Sequence, residues 1–483
     1  MLNSAIWQNK NIHILLLIFL AITVIFGRLQ FGGLASFDDC YYAEKAKEII
    51  VTGDWMTMQY NYKHLASDPP PPLYMWWTAV MFRLFGVNEY TAKLTSALSG
   101  LSLIILIYFI GKKLYDHWVG LFSSVILLTT NYFLAKTQRC MVDILLALLI
   151  TLAVWFFIKS MDNKKYLLLF GFSTGLAVLT KSVMGLFPLI IAFSWMLVPG
   201  IRKKINIGYL LMGILVMLAV STPWFIMQWV EFGNVFLYKQ FTAGVFNRSI
   251  YGTMGVPGNV YRWTDYFKYI PIMAGQSMPW FIFAVMGFVK LAKKAITQKD
   301  TKAIMLMSWA AIIFICVSIP TIKRPWYIIS IYPVLSIIAA NLINQWLDEP
   351  KRMKTIKALL IAGFALNIFM LTVPVSFVKQ SNADIKNLSA VIRESTPSRE
   401  EVVLYKLEYW TIQNPLLFYS DRPASKAIED EDTLAERLKT GTKVVCLANV
   451  AEYDRLKNKY HLIKKEGKLV LFSKEGDGVK IIK

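Results

Sequence analysis

Two aspartates are the residues best suited to chemistry in this sequence: Asp38, in the run SFDDCYYAEKAKEIIVTGD at 36–54, and Asp143, closing the run KTQRCMVD at 136–143. A carboxylate near an acceptor hydroxyl can take its proton, so each is a candidate catalytic residue. Candidate binding residues stand around them: Asp39, Tyr42, Lys63, His64 and Asp68 in one stretch, Arg139 and Lys181 in others, and Lys323, Arg324 and Tyr327 near the end of the apolar region. Cations beside carboxylates suit a phosphate, because they hold its oxygens and stabilise the charge that grows as it departs. Plain structural readings compete with each assignment. Asp38 and Asp39 fit a helix cap and dipole partners. Asp143 fits a cap or an ion pair with a partner such as Arg139. A single lysine beside an apolar run fits snorkelling to headgroups. What favours chemistry is their joint placement, with both signs of charge gathered at one boundary of the apolar segments.

The elements that must position these residues are membrane spans. Of 483 residues 56% are hydrophobic and 17% charged, and the mean hydropathy is +0.46, which excludes an ordinary soluble domain. Thirty Phe, 23 Tyr and 15 Trp with only four Cys exclude disorder and a disulfide scaffold. The formal charge of +21 is spread in short Lys/Arg clusters between apolar runs, which fits cytoplasmic loops and not a nucleic-acid surface. Stretches able to cross a bilayer lie at about 11–29, 91–111, 118–135, 141–158, 166–180, 183–199, 207–230, 269–289, 303–320, 325–346 and 356–378. The expected fold is an α-helical polytopic membrane protein of about 11 spans with juxtamembrane helices. The first stretch reads as a retained anchor, since it has no small-residue cleavage site.

The segment 71–86, with Arg83 and the Trp76-Trp77 pair, is short for a span and is expected to lie along the interface. The basic clusters at Lys112-Lys113, Lys159 with Lys164-Lys165, Arg202-Lys203-Lys204, the loop 290–302, and Lys351-Arg352 with Lys354 and Lys357 then all face the cytoplasm. The loops 30–90 and 231–268 and everything after 379 face outward. Residues 380–483 carry dispersed charge, β-rich runs at 401–405, 443–447 and 468–472, and helix-like stretches at 383–394 and 431–439. They read as a small extracytoplasmic α/β domain following a transmembrane catalytic domain at 1–379.

At these segments the sequence resembles GT-C fold membrane glycosyltransferases, specifically the group of aminoarabinose lipid A transferases and protein O-mannosyltransferases. The resemblance rests on Asp38-Asp39, Tyr42-Ala43-Glu44, Gly53-Asp54-Trp55, the prolines at 69–72, the aromatic helix ending in Phe85-Gly86, Asp143, the run at 175–181 with Pro188, Pro223-Trp224, Pro279-Trp280, Lys323-Arg324-Pro325-Trp326-Tyr327 and Tyr332-Pro333. It implies transfer of a sugar from a polyprenyl-phosphate donor to a lipid, glycan or protein acceptor at the outer face of a bacterial inner membrane. It further implies Asp38 as the base and Asp143 in the same cavity, with Lys181, Lys323 and Arg324 assisting the departing phosphate. There are two departures from the family pattern. The Lys expected before the Pro pair is missing from Ser67-Asp68-Pro69, so either Lys63 or His64 replaces its charge or the donor phosphate is held differently. The loop 231–268 offers Arg248, Asn259, Tyr261 and Arg262 where a Gly-His pair is common.

No nucleotide-binding glycine fingerprint and no metal-ligand spacing among the four His is present, so neither cofactor nor metal is expected. Nothing fixes the distance between Cys40 and Cys140, and no bridge is expected between them. The competing functional class is a lipid-linked glycan flippase or transporter, which places its charges at the bilayer midplane. A structural assembly protein would explain the C-terminal domain but not Asp38 or Asp143.

Overall fold

The computed structural model describes residues 9–27, 29–60, 63–64, 70–247, 263–372, 381–398, 400–439 and 444–474. The chain forms two compact units, one of residues 1–29, 66–74 and 93–373, the other of residues 30–65, 75–92 and 374–483. The second joins to the C-terminal segment two stretches, 30–65 and 75–92, that sequence composition groups with the spans.

The first unit is helical. Among the described residues six helices are long and apolar enough to cross a bilayer, or seven if the pair His117–Leu128 and Asn131–Thr137, bent by 69°, counts as one span. The sequence-based figure of eleven is higher for identifiable reasons. Helix Lys10–Phe26 has 17 residues, about 25 Å at 1.5 Å per residue and short of the hydrocarbon core. The stretch at 269–289 divides into Tyr269–Ser277 and Trp280–Gln298, the latter carrying Lys290, Lys293 and Lys294. The first third of Glu349–Thr372 is charged.

The apolar stretch Tyr166–Met196 doubles back. The rings of Phe170 and Trp195 both lie within 5.6 Å of the Phe157 ring; in a continuous helix, residues 25 positions apart would be separated by roughly 37 Å. The reversal occurs at Ser182, whose φ of 26° and ψ of −112° place a non-glycine residue in strained backbone. Gly185 makes the turn possible, because a Cβ there would fall 2.3 Å from the backbone nitrogen of Val178.

Helix Ile207–Leu237 packs backbone to backbone on Tyr166–Lys181: a Cβ at Gly171 would lie 1.8 Å from the carbonyl oxygen of Gly213. Gly171 and Gly175 are four apart and share this face, the small-residue packing used where lipid offers no hydrophobic drive. Gly171→Ala is expected to destabilise the protein by about 2 kcal/mol, read as a lower unfolding temperature in detergent; an unchanged midpoint would mean that these helices do not pack this closely.

The bundle has two chemically distinct ends. At one end Lys113 pairs with Asp162 at 2.7 Å, Lys302 lies 5.4 Å over the Tyr115 ring, Trp118 donates to Glu349 at 2.9 Å, and Asp162, Lys164, Lys203 and Lys204 border one cavity. The basic clusters read from sequence thus gather together. Asp143 opens the helix Val142–Ser160, and Lys181 closes Tyr166–Lys181, so both sit at the other end, a helix length away.

The second unit centres on a sheet of order β4-β3-β5-β7-β6, with β3 Val402–Tyr405, β4 Ala424–Ile428, β5 Val445–Asn449, β6 His461–Glu466 and β7 Leu469–Ser473. A short hairpin, β1 Gln59–Tyr60 with β2 Lys63–His64, precedes it in the chain. Strand β3 is parallel to β4 and β5, while β7 is antiparallel to β5 and β6. The central strands VVLY and LVLFS are buried throughout, since apolar clusters cover both sheet faces.

Helix Ser36–Thr52, closed by Gly53 at φ 73°, docks on helix Tyr409–Ser420. Lys47 Nζ donates to the carbonyls of Leu417 at 3.3 Å and Phe418 at 2.9 Å and pairs with Glu44 at 3.2 Å and Asp421 at 2.5 Å. The lysine therefore satisfies the carbonyl end of a helix 370 residues away in sequence. Leu34 N–H donates to the Tyr419 hydroxyl at 3.2 Å, and that hydroxyl donates to Glu89 at 2.7 Å. Helix Leu73–Phe85 has 13 residues, too few to cross a bilayer, as expected for 71–86.

Candidate active site

In the first unit the loop between helices Thr301–Ser318 and Tyr332–Trp346 collects the cations. Pro325 breaks helical pairing there and leaves Trp326 and Tyr327 as aromatic faces for positive charge. Lys181 Nζ lies 4.5 Å over the Tyr327 ring and donates to Asp143 Oδ1 at 2.7 Å. Lys136 Nζ lies 5.2 Å over both the Tyr132 and Trp326 rings, and the Arg324 guanidinium is 5.7 Å from Trp326. Lys323 donates to the carbonyls of Ser318 and Pro320 and lies 6.0 Å over Tyr269, whose hydroxyl donates to the Arg324 carbonyl at 3.1 Å. The charges of Asp143 and Arg139 both bear on the Tyr132 hydroxyl.

The Asp143 side chain is only 3% exposed, whereas that of Lys181 is 23% exposed. The carboxylate is therefore held inside the protein by Lys181, and the lysine is the more exposed partner. The geometry makes Asp143 a positioning residue for a cation. Burial pulls the Lys323 ammonium down to about 8, against the raising effect of Asp265 and with the lowering effect of Lys268. Asp265 itself pairs with Lys268 at 2.8 Å. Such a group of ammonium and guanidinium ions, backed by aromatic faces and one buried carboxylate, can hold a phosphate and stabilise it as a leaving group.

The second unit separates the two neighbouring acids. Asp39 is fully buried, and its Oδ2 accepts from the N–H of Ala35, the N-cap, at 3.0 Å. Asp38 is half-buried in the first turn. The helix begins at Ser36, so Asp38 is not the N-cap, and Asp39 reaches back to the N–H of the cap residue Ala35. Asp38 is the more exposed of the two acids. Tyr42 is half-buried beside it, its ring 5.4 Å from that of Tyr41.

Among the sequence-derived candidates, Asp143, Lys181, Lys323, Arg324, Tyr327 and Arg139 fall in one region of the first unit, while Asp38, Asp39 and Tyr42 belong to the second. Lys63 and His64 form β2 in backbone, their side chains lying outside the described atoms; Asp68, Arg248, Asn259, Tyr261 and Arg262 lie outside the described residues. Cys40 and Cys140 are free thiols. Sequence reasoning did not select Lys136, Trp326, Tyr132 or Tyr269 for the site. The signal for the first two was the KRPWY run, whose adjacent aromatics can each face a cation from another helix.

Residues 69–227 match the family model described as dolichyl-phosphate-mannose-protein mannosyltransferase. Over the fold as a whole, the chain superposes on the crystal structure of ArnT from Cupriavidus metallidurans bound to undecaprenyl phosphate. The TM-score is 0.77, with 19% identity and coverage of 95% of this chain and 97% of that one. The chain shares the fold of ArnT and, over residues 69–227, is similar to the protein mannosyltransferases. Its relatives include an uncharacterised protein of Aquifex aeolicus, 25% identical over 74% of this chain and 69% of the relative. They also include undecaprenyl phosphate-alpha-4-amino-4-deoxy-L-arabinose arabinosyl transferase 1 of Pseudomonas fluorescens, 21% identical over 66% of this chain. The match spans 56% of that transferase's length. The family match covers Asp143 and Lys181, so part of the cation cluster lies within the GT-C region that sequence kinship marks.

Proposed function

We propose that the protein transfers a sugar, a pentose or hexose, from a polyprenyl-phosphate donor to a lipid, glycan or protein acceptor at the outer face of the plasma membrane. The observation that carries this reading is the Lys181–Asp143 pair under Tyr327, a cation fixed by a buried carboxylate, at the end of a GT-C bundle opposite its basic clusters. Those clusters support a cytoplasmic position for their own end under the positive-inside rule, and hence an outer position for the site. Helix Glu349–Thr372 runs from the basic end toward Gly27, which Leu371 approaches, so under the same rule its C-terminal end faces outward. This supports an extracytoplasmic α/β domain after a catalytic region at 1–379.

In the proposed reaction Asp38 removes the proton from the acceptor oxygen, which attacks the anomeric carbon of the donor. The anomeric carbon–oxygen bond breaks, and polyprenyl phosphate leaves with both bonding electrons. Lys181, Lys323 and Arg324 hold its oxygens and offset the new charge; Asp143 keeps Lys181 aimed. The leaving group is already an anion of low basicity, so no second acid is needed to protonate it. Asp39 and Tyr42 shape the surroundings of Asp38. Lys63, His64, Asp68 and Arg139 are proposed substrate contacts.

Purified full-length protein given a polyprenyl-phosphate sugar should release polyprenyl phosphate only when acceptor is present. Movement of intact donor across a vesicle membrane with no release would replace this reading with the transporter.

The pH dependence is also specified. The Lys323 ammonium loses its proton as pH rises through about 8, so donor affinity should hold below pH 8 and weaken above it, by up to about tenfold per unit. Lys323→Arg should flatten this limb, since guanidinium stays charged throughout the range. An equally steep limb in the Arg variant would assign the titration to another group.

A further inference from the structure

The basic end of the bundle gathers cations that the transfer reaction does not use. A cavity of about 580 Å³ opens between the loop after helix Val142–Ser160 and the loop before helix Ile207–Leu237, bordered by Asp162, Asn163, Lys164, Lys203, Lys204 and Asn206. Its one carboxylate, Asp162, is already neutralised by Lys113 at 2.7 Å. Lys164, Lys203 and Lys204 are therefore in excess over the acids that face them.

The long helix Ile207–Leu237 starts at this cavity. Asn206, its N-cap, accepts from Tyr209 N–H at 3.0 Å, leaving other first-turn N–H groups for an anion. Lys164 is steered there by the Tyr209 ring, 5.0 Å from its ammonium. The flank below is apolar and uncovered by protein: Ile207, Leu211 and Leu215 form one stripe at spacing four, with exposures of 50%, 57% and 64%, beside exposed Leu169 and Phe172. A free phosphate would use the lysines but not this stripe. An anionic phospholipid uses both, its headgroup at the cations and its acyl chains along the helix.

We propose that this cavity binds the phosphate of an anionic phospholipid headgroup. The volume suits a glycerophosphate group, within the usual range of small-ligand cavities. The site is separate from the Lys181 cluster, lying at the opposite ends of the same helices, and its occupancy does not depend on the transfer chemistry.

Native mass spectrometry of the delipidated full-length chain, titrated with phosphatidylglycerol or phosphatidylcholine, tests this. The wild type should bind phosphatidylglycerol at least about tenfold more tightly. Lys164→Gln, Lys203→Gln and Lys204→Gln together should abolish the preference, each lysine accounting for about fivefold. The corresponding triple Arg variant should keep it, since guanidinium binds phosphate equally well. If the triple Gln protein does not fold, single Lys203→Gln and Lys204→Gln variants should each show the fivefold loss. Equal binding of the two lipids, or a preference that persists without the lysines, would overturn the proposal. Displacement of phosphatidylglycerol by millimolar inorganic phosphate would overturn it too, by showing a soluble-phosphate site.

Discussion

Asp38→Asn is expected to lower the turnover number by a factor of about 10² to 10⁴, the range that a positioned general base contributes, while donor affinity and the unfolding temperature stay near wild type. The expectation of an intact fold comes from the division of labour in the first turn of helix Ser36–Thr52. Asp39 is the buried residue that accepts the Ala35 N–H, whereas Asp38 is half-buried. The amide is nearly isosteric but cannot take a proton at neutral pH. Steady-state release of polyprenyl phosphate, with donor binding measured on the same preparation, gives both quantities. Full turnover in the variant would remove Asp38 as the base.

Lys181→Met should both abolish activity and destabilise the protein by about 3–5 kcal/mol, the cost of stranding a buried carboxylate without its partner. Asp143 is the stranded group, 3% exposed, and Lys181 Nζ is 2.7 Å from it. Adding Asp143→Leu to Lys181→Met should restore most of the stability, because a buried pair exchanged for apolar side chains is often neutral. Activity should not return, since the cation that meets the phosphate is still absent. Thermal unfolding in detergent and donor turnover, measured for the two single variants and the double variant, complete the cycle. A Lys181→Met protein as stable as wild type would show that the pair is not a buried one. Recovery of activity in the double variant would make Lys181 purely structural.

Much of this architecture can be read from the order of residues. Apolar run length marks most of the helices, and the alternation of basic clusters correctly groups loops that the structure gathers at one end of the bundle. The helix at 36–54 ends where Gly53 permits a left-handed residue. In the C-terminal sheet β3, β5 and β7 announce themselves as short apolar runs. The strands missed, β4 and β6, lie at the two edges of the sheet, where the burial of ASKAI and HLIKKE does not alternate from residue to residue and leaves little periodic signal.

Other features were not legible because they depend on tertiary partners. Helix Ser36–Thr52 looks amphipathic, yet Glu44, Lys45, Lys47 and Glu48 are buried along with Asp39. Lys47 is tolerated because the carbonyl end of Tyr409–Ser420 and the carboxylates of Glu44 and Asp421 surround it. Burial lowers its affinity for a proton, but those two acids outweigh burial and raise it overall. No spacing rule connects residue 47 to residue 418. Asp143 was expected to need a cation, and Arg139 was the nearest in sequence. The structure supplies Lys181, 38 positions away, since the turn at 161–165 lays helix Tyr166–Lys181 back along Val142–Ser160 and brings the end of one to the start of the other.

The most direct measurement follows the oxygen that bridges sugar and phosphate in the donor. With that oxygen labelled as ¹⁸O and the full-length protein turning over with acceptor, all the label should depart in polyprenyl phosphate, because the bond broken is the one at the anomeric carbon. Label recovered in the glycosylated product would mean that phosphorus was attacked instead, and would contradict sugar transfer as the reaction.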